Sequence, residues 1–200
     1  HYTFNLRDFS RVVQGVLLQE PSDQFQNKPS VMRLWTHEAL RVFGDRLTDD
    51  TDRQWMCDHC SAMCKEVFKC DFQSEFDHIR PADETETGYG TLRRLFWGDY
   101  MTPADEDERP YAEVPDLQQL QERTEEALSD FNSASKKPME LVMFMFAIEH
   151  VSRIARVLRM PGGNALLVGV GGSGRQSLSI LATEMAGYQL FRIEITKSYG

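Results

Sequence analysis

Six consecutive residues, Gly169-Val170-Gly171-Gly172-Ser173-Gly174, contain four glycines in the spacing G-x-x-x-x-G. A loop of this kind wraps its backbone N–H groups around phosphate oxygens, because no Cβ blocks the approach. Arg175, Gln176 and Ser177 follow, opening a helical pattern with Leu178, Leu181, Ala182 and Met185 on one side. The positive end of that helix would face the same anion. Ala165–Val168, just ahead, is a short continuous apolar run of the kind found in buried parallel strands, and Tyr188–Ile195 reads as a second strand. Strand, glycine loop, helix, strand is the context a phosphate-binding loop requires. The bland alternative is a glycine-rich turn that binds nothing, but so many glycines cost backbone entropy that an ordinary turn does not need to spend.

Two positions depart from the general rule G-x-x-x-x-G-K-[ST]. Arg175 stands where lysine is expected; it keeps the charge but presents a planar fork rather than a point charge. Gln176 stands where a hydroxyl would ligate Mg2+, and its neutral amide oxygen is a poor substitute. Ser177 comes one residue late, about 100° around the helix, and is expected to fall short. Phosphate binding should therefore survive better than magnesium-assisted hydrolysis.

The elements that must position this loop are mostly helical. Residues 4–19 read as a helix with Asn5 as N-cap and Leu6, Phe9, Val13, Val16 and Leu17 recurring at three and four. Gln19–Ser30 reads as a loop. A second helix is expected over 31–47, with Met32, Trp35, Ala39, Val42, Phe43 and Leu47 on one face. A third is expected over 53–69, capped within Asp49–Asp52, with Trp55, Cys60, Met63, Cys64, Val67 and Phe68 inward. Residues 71–89 read as loop with short helical pieces, and Leu92–Trp97 is a brief apolar run. Leu117–Phe131 predicts a mostly solvated helix. Pro138 suits the first turn of the most apolar helix, with Leu141, Phe144, Ile148, Val151, Ile154 and Leu158 along one side. Arg153, Arg156 and Arg159 near its end would complement the helix dipole, and Pro161-Gly162-Gly163 stops it.

The formal net charge is −9 over 200 residues, which argues against a nucleic-acid surface. Most of the excess lies between Asp99 and Glu126, an acidic connector whose ordinary role is that of a soluble linker. No stretch approaches the roughly 20 apolar residues of a membrane span. The first residue is His1 and the last, Gly200, follows a strand-like run, so the chain reads as an excerpt of something longer. Four clustered cysteines suit a reducing compartment better than a secreted disulfide scaffold.

The run GNALLVGVGGSGRQSLSILA, followed by FRIEITKSYG, resembles the fourth AAA+ module of axonemal dynein heavy chains, where an arginine- or lysine-glutamine-serine version of the loop is usual. LVMFMFAIEHVSRIARVLRMPGGN is similar to the segment entering that module, and RPYAEV to the family's link between modules. HYTFNLRDFSRVVQG and RLWTHEALRVFGDRL look like the helical lid of the third module. The resemblance implies that Gly169, Val170, Gly171, Gly172, Ser173, Gly174, Arg175, Gln176 and Ser177 line a site for ATP or ADP, with Mg2+ weakly supported. It also implies that Val142, Met143 and Phe144 lie near adenine. Arg7 matches the lid arginine called sensor 2, which serves the preceding module's site; its bland reading is an exposed arginine in a helix's first turn. The implied parent is an ATP-driven, minus-end-directed microtubule motor of the cytoskeleton, in the axoneme of a cilium or flagellum. Its implied partners are neighbouring AAA+ modules, microtubules, and dynein intermediate and light chains, with no nucleic acid and no membrane. Walker B, sensor 1 and an arginine finger are not found in this stretch, so the chain alone is not expected to hydrolyse ATP.

Cys57, Cys60, Cys64 and Cys70, with His59 and His78 nearby, invite a zinc reading through the Cys57-x-x-Cys60 spacing. Cys57, Cys60 and Cys64 also fall at i, i+3 and i+7, the rhythm of a core stripe, and free cysteine packs as a small hydrophobe. Packing is the favoured reading. His37-Glu38 lacks the second histidine of a zincin motif, and His37 and His150 sit on apolar helices. Lys136 and Lys137 read as a solvated pair, and Phe144-Met145-Phe146 as core.

The expected architecture is α/β. An all-helical AAA+ lid spans 1–104, an acidic connector and linker helix span 105–135, and the N-terminal part of a P-loop NTPase parallel-sheet domain spans 136–200. The alternatives are a truncated stand-alone P-loop ATPase or kinase, and a structural ring segment whose glycine loop is empty.

Overall fold

The computed structural model describes residues 2–21 and 27–193. Helix α1 covers Leu6–Val16 and is opened by a reciprocal cap. Asn5 Oδ1 accepts from the Arg7 and Asp8 amides at 2.8 and 3.3 Å, and the Asn5 amide donates to Asp8 Oδ2 at 2.9 Å. Helix α2 covers Lys28–Val42, starting inside the stretch expected to be loop. Asn27 Oδ1 accepts from the Ser30 amide at 2.9 Å, and Pro29 lies in the first turn, where its missing N–H costs nothing. Helix α3 covers Asp50–Met63 with Asp49 as N-cap. It continues as one π-helical turn, Cys64–Phe68, closed by Lys69 at φ 56°. Two single-turn helices follow, α4 (Phe72–Glu75) and α5 (Tyr89–Leu92).

These helices enclose a first core of Met32, Ala39, Leu40, Leu47, Met56, Phe72, Phe76, Ile79, Leu92 and Leu95, with Cys57, Cys60 and Cys64 among them. The cysteine stripe is thus packed in the interior, and burial pushes the Cys57 thiol up to about 11 and those of Cys60 and Cys64 to about 12. Among the described residues, no group of three or more His, Cys, Asp or Glu is placed to hold a metal ion.

Several expectations about inward faces fail, among them the Phe144-Met145-Phe146 core, since Phe144 and Phe146 are exposed. Leu6, Phe9, Val13 and Leu17 of the first helical stripe are exposed, and Asp8, Val12 and Gly15 are buried instead. Trp55 and Val67 are also exposed. Trp55 stacks flat on His59 outside the core, at 5.3 Å between ring centroids. Periodicity identifies an apolar stripe but not what covers it.

Strands β1 (Phe96–Gly98) and β2 (Ala112–Val114) pair antiparallel, Phe96 opposite Val114. The acidic connector therefore holds a strand rather than only solvated chain. Its Glu113 accepts from Arg33 Nε at 2.9 Å and lies 2.9 Å from His78 Nε2. Helix α6 covers Leu117–Ala134. It is wet on most of its surface, but Leu120, Thr124, Ala127 and Leu128 are buried. Helix α7 covers Met145–Arg159, so the expected start at Pro138 is wrong by several residues. The Asn132 side chain pins the Met139 backbone, accepting from its N–H at 2.7 Å and donating to its carbonyl at 3.0 Å. That pairing takes the Met139 main chain out of any helix.

Helix α8 covers Arg175–Met185. A second core joins β1, β2, α6, α7 and α8 through Phe96, Val114, Leu120, Leu128, Ile148, Val151, Leu178, Leu181, Ala182 and Met185. Among the described residues the only sheet is β1–β2. The strands expected at Ala165–Val168 and Tyr188–Ile195 have no ladder partner there, and Leu166, Val168, Phe191 and Ile193 are exposed; residues 194 and 195 lie outside the described stretch. The whole is mostly helical, with one small hairpin between two helical groups. No described helix is long and apolar enough to cross a membrane.

Candidate functional site

The glycine loop turns tightly into α8. Gly172 and Gly174 hold φ of 79° and 77°, a region that L-residues with a Cβ enter only at a cost. Gly174 is the N-cap, and its carbonyl accepts from the Leu178 amide at 2.9 Å. The Ser173 amide closes back on the Val170 carbonyl at 3.3 Å. The amides of Gly171, Gly172, Gly174, Arg175, Gln176 and Ser177 donate to no described residue. Free amides at a helix start, with the dipole behind them, form an anion cradle. A Cβ on Gly171 or Gly172 would meet nothing within 4 Å, so the space above the loop is open.

That space is a cleft of about 990 Å³, large enough for a nucleotide. Gly171 through Ser177 form one wall, with Glu140, Leu141, Ala165 and Leu167 beside them and Leu190–Ile193 opposite. Gly169 and Val170 do not line it; a Cβ on Gly169 would stand 3.0 Å from Ser173 Oγ, a close contact that the hydroxyl can relieve by turning. Gln176 and Ser177 both line the wall. The oxygen donors for Mg2+ would be the Gln176 amide, the Ser177 hydroxyl and the Glu140 carboxylate, with no carboxylate on the loop itself. Arg175 folds over the loop, donating to the carbonyls of Val170 at 3.1 Å and Leu167 at 3.4 Å. Its guanidinium holds the loop's own backbone, not the open space.

The residues expected near adenine divide. Met143 is buried in the second core, and Val142 and Phe144 are exposed. The same segment does reach the cleft, through Glu140 and Leu141. Arg7 is exposed in the first turn of α1 and is not among the cleft residues.

A buried polar cluster behind the site went unseen in the sequence. Glu38 of α2 is fully buried. It accepts from Arg156 of α7 at 2.9 Å (Nε), from Tyr111 Oη at 2.7 Å, and lies 3.0 Å from His37 Nδ1. Burial alone would raise the Glu38 carboxyl, but the hydrogen bonds from His37 and Arg156 outweigh it and hold the group low. Burial keeps His37 below its ordinary 6.5, hence neutral and donating. The three arginines near the end of α7 serve as partners rather than as dipole complements alone. Arg153 meets Asp45 at 3.1 Å and Glu149 at 3.3 Å, and Arg159 meets Asp99 at 3.5 Å. Glu149, also buried, holds Arg93 at 2.7 Å. Only the crowding of arginines hinted at this, since all of their partners but Glu149 lie far off in sequence.

Residues 139–200 match the model of the P-loop containing dynein motor region D4, and residues 1–53 match that of the dynein heavy chain ATPase lid domain. All of the chain aligns with dynein axonemal heavy chain 12 of Mus musculus at 49% identity over 201 residues. It aligns with dynein axonemal heavy chain 3 of Homo sapiens at 49% over 199 residues, and with dynein axonemal heavy chain 1 of Mus musculus at 40% over 200. The chain spans 6%, 5% and 4% of those relatives' lengths, respectively. Two dynein regions matched in one chain, and relatives at 40–49% identity along all of it, identify the family: the chain belongs to the axonemal dynein heavy chain family.

Proposed function

We propose that this chain is part of an ATP-driven, minus-end-directed microtubule motor of the ciliary or flagellar axoneme, and that Gly169–Ser177 hold ATP or ADP in a regulatory AAA+ module. The observation that carries this is the ring of free amides at the start of α8, facing a nucleotide-sized cleft. Gly171, Gly172, Ser173 and Gly174 would bind phosphate through the main chain. Arg175 would turn from the loop carbonyls to the anion, or brace the loop while the amides bind. Glu140 and Leu141 would flank the rest of the nucleotide. The loop and the start of α8 offer Mg2+ only neutral oxygens, from Gln176 and Ser177, and Glu140 is the one carboxylate among the lining residues, so the site is built to hold nucleotide more than to cleave it. Binding would set how neighbouring modules pack and so tune the motor.

On this reading residues 1–104 form the lid of the third module, 105–135 the connector, and 136–200 the first part of the fourth module's parallel-sheet domain. Arg7 would serve the preceding module's nucleotide as a sensor. Its side chain is free to do so, being exposed at the start of α1. Microtubules, intermediate and light chains, and adjacent modules would be partners of the whole heavy chain.

Photoaffinity labelling of the intact heavy chain with azido-ATP and azido-ADP, mapped by peptide mass spectrometry, tests the site. Label is expected on peptides covering 139–193, and Arg175→Ala should lower it about tenfold, the worth of one charge-assisted hydrogen bond. Labelling of other modules with none on these peptides would favour an empty structural loop.

A further inference from the structure

Arg109 sits in the acidic connector, eight residues before Leu117 opens α6. Its guanidinium closes the far end of α8, donating to the carbonyls of Met185 at 2.8 Å and Ala186 at 3.0 Å. Those carbonyls belong to the last turn, which no intrahelical donor satisfies and where a cation is favoured. The same guanidinium reaches the Asp99 carbonyl at 3.4 Å and its carboxylate at 3.8 Å, one residue past β1. Asp99 in turn takes Arg159 of α7 at 3.5 Å. The side chains of Arg109 and Asp99 are 13% and 11% exposed, so these contacts are shielded from the screening that weakens surface pairs. Close by, Gly187 turns at φ 71°, and Ala104, next to the connector, packs 3.3 Å from where its Cβ would be.

One end of α8 therefore faces the nucleotide cleft, and the other is held by a residue that also grips the β1–β2 hairpin. The hairpin belongs to both halves of the chain. Trp97 of β1 packs with Leu34 of α2 and Tyr111, while Phe96 and Val114 lie in the second core. A rigid helix of 11 residues spans about 16 Å, so any tilt or axial shift at the loop is felt at the clamp.

We infer that Arg109 is a positioning residue that couples occupancy of the glycine loop to the lid-facing hairpin, by fixing the C-terminal end of α8 to Asp99. The inference rests on the nucleotide reading of Gly169–Ser177. Anion binding at the start of α8 draws on the helix as a unit; the Arg109 fork passes the constraint to β1, and α7 shares it through Arg159. Coupling is reciprocal, so loosening the clamp lowers the gain from binding at the loop.

Hydrogen exchange of the intact heavy chain, with and without ADP, reads both ends peptide by peptide. In the wild type, ADP is expected to slow exchange in 171–181 and also in 96–99 and 112–114, the latter about fivefold, the low end of ordinary allosteric coupling. Arg109→Ala should retain protection at 171–181 and lose it at the hairpin. Arg109→Lys, which keeps the charge without the fork, should give an intermediate result, and carries the test if the alanine variant does not accumulate. A wild-type hairpin that ignores ADP while the loop is protected overturns the inference alone, as does an Arg109→Ala protein whose hairpin still responds. No protection at 171–181 would instead remove the nucleotide reading, and the inference with it.

Discussion

Arg156 and Glu38 stand 118 residues apart in sequence and meet in the interior, Nε to Oε2 at 2.9 Å. Helix α2 of the lid and helix α7, which packs against the glycine-loop helix, are thereby joined by a charge pair with almost no access to water. Removing one partner leaves the other charged and buried. Glu38→Ala or Arg156→Ala is expected to cost about 3–5 kcal/mol, whereas replacing both by apolar residues of similar volume should cost far less. Urea unfolding of a heavy-chain segment that holds both helices measures the difference; equal losses for single and double variants would contradict the arrangement.

Acid should weaken the same joint in two steps. His37 is held below its ordinary 6.5 by burial, so the unfolded chain binds a proton more readily there than the folded one. The stability it contributes is full above 6.5 and falls as the pH drops below it. Glu38 is likewise held below its ordinary 4.5, so a second loss begins under that value. Melting temperature against pH should bend near both. His37→Ala should remove the upper bend and bring the lower one closer to 4.5, since Glu38 loses one of the hydrogen bonds that hold it low.

Gly15 is required by the carboxylate it faces. A Cβ there would lie 1.7 Å from Glu38 Oε2. Gly15→Ala gains up to about 1 kcal/mol of helix propensity, yet should be net destabilising, since overpacking a tight interior costs roughly 1–3 kcal/mol and here displaces a buried ion pair. Thermal unfolding decides the sign, and a raised melting temperature would contradict the packing.

The left-handed turn at Gly174 gives a different test. Gly174→Ala forces a Cβ into φ 77° at about 1–2 kcal/mol, and relief by local rearrangement would misdirect the amides beside it. ADP affinity at this loop should drop about tenfold or more while the lid's exchange protection stays the same. Unchanged affinity would show that the loop's shape does not matter to binding.

The thiols should differ in reactivity. Cys57, Cys60 and Cys64 are buried with raised pKa values, while Cys70 is partly accessible. Because the thiolate is the reacting form, iodoacetamide at mildly alkaline pH should modify Cys70 first in the native protein. Peptide mapping over a time course reads the order.

What could be read from the sequence was local. The glycine loop, the inward face of α8 and the Asn5 and Asp49 caps each depend on residues within a turn or two of one another, and each was legible. So was the inward placement of Cys60 and Cys64, because three- and four-residue spacing survives whatever lies opposite. Errors came where a distant group decides. Pro138 is a fair helix-start signal, but the Asn132 side chain takes the Met139 backbone first. Leu6, Phe9 and Val13 form a proper stripe, yet the chain turns Val12 and Gly15 inward. Behind the site, Tyr111 and Arg156 could not be assigned to Glu38 at all, since nothing in their neighbourhoods encodes a partner more than seventy positions away. The loop's amides could be named in advance, but the walls of the cleft, Glu140 and Leu141 among them, appear only once α7 and α8 are packed.

The π-helical turn at Cys64–Phe68 stores one residue of slack. By widening the last turn of α3 it keeps Cys64 in the interior and still brings Phe68 to within 5.6 Å of Trp35, ring centre to ring centre. Shortening the chain by one residue there, at the exposed Glu66, would let the helix relax to its ordinary winding with both anchors roughly in place. The same deletion a turn or two earlier would rotate the whole buried stripe to solvent. Length variation between the start of α3 and α4 should therefore be absorbed at that turn and refused elsewhere along the helix.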